Sequence, residues 1–179
     1  MGNVRGKIVS ILLLAAVLLI SCDRKKEPER SGTATIDNEL VLDKELQTYV
    51  NYGFLFSEAR LASNVESPRP DITVFRDGDK ISLDANNLSP SFYKYGEYNS
   101  QQEAAEAFRN LSSATVSRWE ERAAMLKINQ IWLYRSNTER YAKIRIISIQ
   151  LENRSLQEYV KCTFEWVYQP DGSLNFPGK

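Results

Sequence analysis

The last third of the chain leaves the least freedom. Leu126, Ile128, Gln130, Trp132 and Tyr134 fall on one face, and Ser136-Asn137-Thr138-Glu139-Arg140 follows as a turn. Tyr141-Ala142-Lys143-Ile144-Arg145-Ile146-Ile147-Ser148-Ile149 is then a long run rich in β-branched residues. After the polar stretch from Glu152 to Leu156, a third run extends from Glu158 to Tyr168 and closes on Gln169-Pro170-Asp171-Gly172-Ser173. β-Branched and aromatic side chains suit a pleated, half-buried surface. Runs of this kind divided by turn residues pair as neighbours, so the expected product is an antiparallel three-stranded meander.

The preceding residues continue the β pattern with one interruption. Val50, Tyr52, Phe54 and Phe56 alternate with smaller or polar positions, the period of two of a half-buried strand. Ser63 to Pro70 carries two prolines and reads as a loop. Asp71-Ile72-Thr73-Val74-Phe75 and Lys80-Ile81-Ser82-Leu83 flank Arg76-Asp77-Gly78-Asp79, a hairpin in which Gly78 supplies the positive dihedral. Asp77, Asp79 and Asp84 lack the spacing and terminal Glu of a calcium loop, and the reading is a solvated turn. Asn87 to Asn99 is polar with Phe92, Tyr93, Tyr95 and Tyr98 interspersed, and reads as a loop packed on the core, with a recognition rim as the alternative. Ser100 and Glu103 form a capping box, and Ala104, Ala105, Phe108 and Leu111 recur at helical spacing. The spacing of Val116, Trp119 and Ala123 predicts that the helix resumes after a break near Ser112 and runs to about Ala123.

At the other end, Arg5 and Lys7 precede an apolar stretch from Ile8 to Ile20 that ends in Leu19-Ile20-Ser21-Cys22. The stretch is shorter than the ~20 residues of a membrane-spanning helix and has the layout of a secretory signal. Leu19 to Cys22 resembles the bacterial lipobox, in which the cysteine sulfur takes a diacylglycerol. The organisation expected is a cleaved signal over residues 1–21, a flexible tether over 22–40 with lipidated Cys22 at its head, and a folded domain over 41–179. Loss of residues 1–21 removes two bases and no acids, leaving 21 basic against 23 acidic side chains, a formal charge of −2. That balance speaks against a nucleic-acid partner. With Cys22 committed to lipid, Cys162 has no internal disulfide partner, and its strand position beside Phe164 and Trp166 reads as a small buried hydrophobe.

The chain has no histidine, which removes the usual general base at neutral pH and the commonest metal ligand. Glycine patterns for phosphate or dinucleotide binding are missing as well. The acid pairs Glu103/Glu106 and Glu120/Glu121 read as solvated helix faces. The expectation is a non-enzymatic protein.

The order of Gly53-Phe54-Leu55-Phe56-Ser57, Pro70-Asp71-Ile72-Thr73-Val74, Asn129-Gln130-Ile131-Trp132-Leu133-Tyr134-Arg135, Tyr141-Ala142-Lys143-Ile144 and Thr163-Phe164-Glu165-Trp166-Val167-Tyr168-Gln169-Pro170-Asp171-Gly172 resembles the HmuY-like lipoproteins. Those are outer-surface or secreted β-rich haem-binding proteins. The resemblance implies an α+β fold, mostly antiparallel sheet with one or two helices. It implies haem only as an alternative, because the best-known members hold the iron through two histidines. Related members use methionine, and the mature chain has one, Met125, which reads first as core filler between Ala123, Ala124 and Leu126.

The sequence therefore supports a lipid-anchored domain at the bacterial envelope, periplasmic or surface-exposed, that binds a ligand. Tyr93, Tyr95, Tyr98, Trp119, Met125 and Trp132 are the candidate contacts, for a small hydrophobic ligand or, in the alternative, a porphyrin. The reading from a different class is an assembly subunit of an envelope complex, docked on another protein.

Overall fold

A computed structural model describes residues 29–87, 89–154 and 157–176. Cys22, the expected signal and the first part of the expected tether lie outside the described residues. The elements run β1 (Ser31–Asp37), β2 (Val41–Asp43), β3 (Thr48–Val50), β4 (Tyr52–Leu55), β5 (Arg60–Ser63), β6 (Ile72–Asp77), β7 (Lys80–Ala85), β8 (Phe92–Glu97), α1 (Gln101–Asn110), β9 (Arg122–Ala123), β10 (Gln130–Arg135), β11 (Tyr141–Arg154) and β12 (Gln157–Gln169). Two five-stranded sheets, ordered β1-β12-β11-β10-β8 and β5-β4-β6-β7-β9, sit beside a small β2-β3 hairpin. The strand pairings among the described residues are antiparallel. The mostly antiparallel architecture with one helix among the described residues matches the expected fold class, and β10-β11-β12 is the expected meander.

The two sheets pack face to face. β12 turns Val160, Cys162, Phe164, Trp166 and Tyr168 inward, β10 turns Trp132 and Tyr134, and β11 turns Ala142, Ile144 and Ile146. They meet Phe54 and Phe56 of the second sheet's first hairpin, together with Ile72, Val74, Ile81 and Leu83. The period of two thus puts every second side chain of the meander into one core. Cys162 is fully buried there, and burial pushes its thiol up to about 12. At Gly53, β4 runs so close to β6 that an added Cβ would lie 2.2 Å from the Ile72 carbonyl oxygen.

The outer face of the first sheet carries a second cluster. Ile131, Leu133 and Val167 pack under Phe108 and Leu111 of the helix segment and Phe176. This explains why β10 is buried on both faces. In the same layer the Lys143 ammonium donates to the carbonyls of Phe108 at 2.7 Å and Leu111 at 2.9 Å, while Phe108 and Phe176 rings cover it. A cation on the last carbonyls of a helix satisfies groups with no partner in the helix and faces the negative end of its dipole.

Several expectations are corrected. Folded structure is already present at Ser31, ahead of Val41: Ser31 to Asp37, assigned to the tether, pairs along its length with β12 from Val167 to Lys161. Ala34 and Ile36 reach the core, and Thr35 shares a hydroxyl hydrogen bond with Thr163 at 2.9 Å. The short side chains give little sequence signal, but the free edge of β12 satisfies the segment's backbone. Tyr49 to Phe56 is broken at Asn51 into β3 and β4, leaving Tyr52 exposed, and β5 completes a hairpin within a stretch whose end had read as loop.

The helix is capped as expected, with Ser100 Oγ accepting from the Glu103 amide, but it ends at Asn110 and does not resume. Residues 112–121 instead hold the sheet by isolated bridges, Ser113 with Asn175 and Glu120 with Phe92. Glu120 and Glu121 are therefore not on a helix. The apolar stripe that suggested one is divided, with Val116 and Trp119 over the outer cluster and Ala123 and Leu126 in the inner core. The aromatic stretch read as a loop contains β8, hydrogen-bonded to β10, because Phe92 and Tyr93 face opposite sides of the sheet.

Candidate functional site

At the end of the sandwich where β1 starts, the sheets part around a cleft of about 410 Å³. That lies toward the low end of the ~300–1,000 Å³ of small-molecule sites. Its floor is aromatic: Tyr134 and Tyr168 line it, and Phe56 packs against both, at 5.4 Å and 6.2 Å between ring centroids. Its walls are polar, with Ser57, Asn86, Asn87, Ser136, Asn137 and Thr138 beside Asp71, Arg69 and Arg140.

Asp71 sits where β6 begins. Its amide donates to the Phe54 carbonyl at 2.9 Å and its carbonyl accepts from the Asn86 amide at 3.1 Å, so the backbone is fixed between two strand ends. Its carboxylate accepts from the Phe56 amide at 2.8 Å and from the Tyr134 hydroxyl at 3.1 Å. A carboxylate has about four acceptor sites, so these two bonds leave capacity for a guest. Burial holds the Asp71 carboxyl above its ordinary range, against the lowering effect of both hydrogen bonds. Burial and then the Asp71 charge push the Tyr134 hydroxyl upward, so Tyr134 is a neutral donor.

The rim is built by turns. Ser136 Oγ accepts from the amides of Thr138 at 3.3 Å and Arg140 at 3.1 Å, shaping the turn between β10 and β11. Arg140 donates to the Pro170 carbonyl at 3.2 Å. Asn87 Oδ1 accepts from the Ser89 amide and the Ser91 hydroxyl, which turns its amide group toward the Tyr134 hydroxyl, 3.5 Å away.

The six residues expected as ligand contacts do not converge. Trp132 is 2% exposed and donates to Gln130 Oε1 inside the core. Met125 is 56% exposed, in a left-handed conformation, so it is not core filler; Ala123 and Leu126 take the buried positions on either side. It borders a small hollow with Phe75, Ile81 and Arg122. Tyr93 and Trp119 border a broader, open hollow rich in exposed charge, where Trp119 stacks on Tyr141 and meets the Arg135 guanidinium. Tyr98 covers Gly96, and Tyr95 is exposed on β8. Among the described residues no group of three or more His, Cys, Asp or Glu is placed to hold a metal ion.

Asp71 had read only as the first residue of a strand. The signal available was a carboxylate directly after a proline at the head of an otherwise apolar run, Pro70-Asp71-Ile72-Thr73-Val74. Its partners Tyr134 and Asn87 come from elsewhere in the chain, and only the fold joins them.

Comparison of the chain with protein-family models, curated proteins and solved structures finds no match.

The raised Asp71 pKa sets a pH dependence. The folded state binds this proton more tightly than the unfolded chain does. The resulting stability is fully present below the ordinary carboxylate pKa and is lost as pH rises through the elevated one. In Asp71→Asn the amide oxygen accepts from Phe56 and the amide nitrogen donates to the Tyr134 oxygen. This variant is expected to melt above the wild type at about pH 8, with the gap closing toward about pH 4. A variant that melts below the wild type at both values counts against a desolvated charge at Asp71.

Proposed function

We propose that this chain is a lipid-anchored protein of the bacterial envelope whose domain binds a small polar ligand, without catalysis, in the cleft around Asp71. The supporting observation is Asp71 itself. A carboxyl group desolvated at the base of a polar cleft is unfavourable for folding, and proteins keep such groups where a ligand uses them. This reading replaces the hydrophobic ligand expected from the dispersed aromatics with a polar one.

The chain enters β1 at the cleft's end of the domain. The Arg30 carbonyl accepts from the Tyr168 amide at 2.7 Å, and Tyr168 lines the cleft. Eight residues, 23–30, separate Cys22 from β1 and reach at most about 28 Å when fully extended. Lipidation at Cys22 would hold the cleft near the membrane surface. Cys22→Ser is expected to move the protein from the membrane to the soluble fraction, and unchanged membrane partition with no lipid label would refute the anchor. For the cleft, a saturation-transfer NMR screen of mixed polar metabolites against the full chain in detergent is the test. Hits that disappear in the rim-filling variant Asn137→Trp support it; hits unaffected by that variant place binding elsewhere.

A second reading, docking on an envelope protein, is favoured by the β2-β3 hairpin, where Leu40, Val41, Leu42, Leu46 and Tyr49 are exposed within ten residues. Crosslinking from native membranes with wild type and Leu42→Asp separates it from the first: a partner captured only by the wild type supports docking.

A further inference from the structure

The charges around the cleft narrow the class of ligand. Some guanidinium groups of the domain pair with acids, Arg60 with Glu58 and Glu66, Arg122 with Asp84, Arg145 with Glu165 and Arg154 with Glu39 and Glu152, while others, Arg76 and Arg135, are satisfied by carbonyl oxygens. Among the described residues, the two guanidinium groups that line the cleft have no carboxylate partner. Arg69 is exposed on the rim beside Pro68 and Pro70, and Arg140 bonds to the Pro170 carbonyl. The one acid in the lining, Asp71, is turned inward onto the Phe56 amide and the Tyr134 hydroxyl. The cleft therefore presents positive charge at its mouth and an acceptor at its base, with hydroxyl and amide groups of Ser57, Asn87 and Thr138 between them.

We infer that the cleft takes a small hydroxylated carboxylate, a sugar acid in chemical class: the rim guanidinium groups take the carboxylate and the Asp71 carboxylate takes a hydroxyl. Guanidinium groups match a planar carboxylate with paired donors. The open acceptor sites of Asp71 require a donor, which a hydroxyl supplies and a second bare anion does not. The cleft, near the low end of small-molecule sites, suits one ring better than a chain of them. The inference rests on the reading of this cleft as the binding site.

The experiment is calorimetric titration of the full chain in nonionic detergent with D-glucuronate and with methyl glucoside, its neutral counterpart. Glucuronate is expected to bind at least about tenfold more tightly than the glucoside, with Arg69→Gln and Arg140→Gln each weakening it by about tenfold, the scale of one charged hydrogen bond. Asp71→Asn is expected to weaken both ligands while keeping its melting transition, which separates loss of the site from loss of the fold. Equal affinity for the two sugars, or unchanged glucuronate affinity in both arginine variants, overturns the anion class and leaves the cleft reading standing. Absence of heat with either sugar overturns the sugar-acid class, while the Asn137→Trp screen decides separately whether the cleft binds anything.

Discussion

Replacing Gly53 by alanine is expected to cost about 3 kcal/mol or more, the upper range for overpacking a core. The new Cβ would lie 2.2 Å from the Ile72 carbonyl oxygen and 2.8 Å from both Pro70 Cβ and Thr73 Cγ2. The first of these is backbone, so no side-chain rotation relieves the contact. β4 must move away from β6, where the two strands share a single register pair, Phe54 with Ile72. That movement pulls on the Asp71 amide bonded to the Phe54 carbonyl, and on the Phe56 amide bonded to the Asp71 carboxylate. The variant should therefore lose the binding proposed for the cleft even where it still folds. Denaturant titration followed by tryptophan fluorescence reads the effect. Gly78→Ala is the control: it sits at φ +59° with open space around it and is expected to cost only about 1–2 kcal/mol. A loss at Gly53 no larger than that at Gly78 would show that β4 moves away from β6 at little cost.

Lys143→Met is expected to cost about 3 kcal/mol, from two charge-assisted hydrogen bonds at about 1.5–3 kcal/mol each, partly offset by the desolvation of the ammonium. Replacing a buried charge with an apolar chain is often harmless where its partner leaves too. Here the partners are the Phe108 and Leu111 carbonyls, which stay buried against the sheet and lose their donor. Methionine keeps much of the apolar stem between Phe108 and Phe176, so the loss reports the ammonium rather than packing. Lys161→Met, on β12 and only partly buried, should stay within about 0.5 kcal/mol. A Lys143→Met protein as stable as the wild type would mean that the helix end finds water instead.

What was legible in the sequence followed from period and punctuation. Trp132, Tyr134, Ile144, Ile146, Phe164 and Trp166 alternate without interruption, and Ser136 to Arg140 separates their strands, so the meander and its inner face could be read directly. Gly78 marked the β6-β7 turn, where it holds φ +59°. Strands stabilised mainly by a neighbour's free edge were not legible. β1 has only Ala34 and Ile36 as inward apolar residues, and β8 carries a lysine and a glycine. The helix beyond Asn110 failed for a related reason. Val116, Trp119, Ala123 and Leu126 keep helical spacing, but they serve two different apolar layers.

The candidate site was the least legible part. Aromatic side chains drew attention because they suit both pockets and cores, and the fold assigns Trp132 to a core and spreads the others over separate surfaces. The cleft is instead lined by residues common in turns, Ser57, Asn86, Asn87, Ser136 and Asn137. Each is ordinary at its own place in the chain. They become a site when β4, β6 and β10 bring Phe56, Asp71 and Tyr134 within hydrogen-bond reach.

The pairing of β1 with β12 also governs the order in which the molecule can form. Residues 31–37 leave the ribosome long before their ladder partners, residues 161–167. The closing contact spans nearly the whole domain, a high contact order that makes its loop-closure entropy large. The N-terminal segment must therefore wait unpaired while the meander assembles, and the edge of β12 stays open until it docks. A chain that emerges vectorially cannot finish this sheet early, so the domain reaches its final form only after residues 161–167 have emerged.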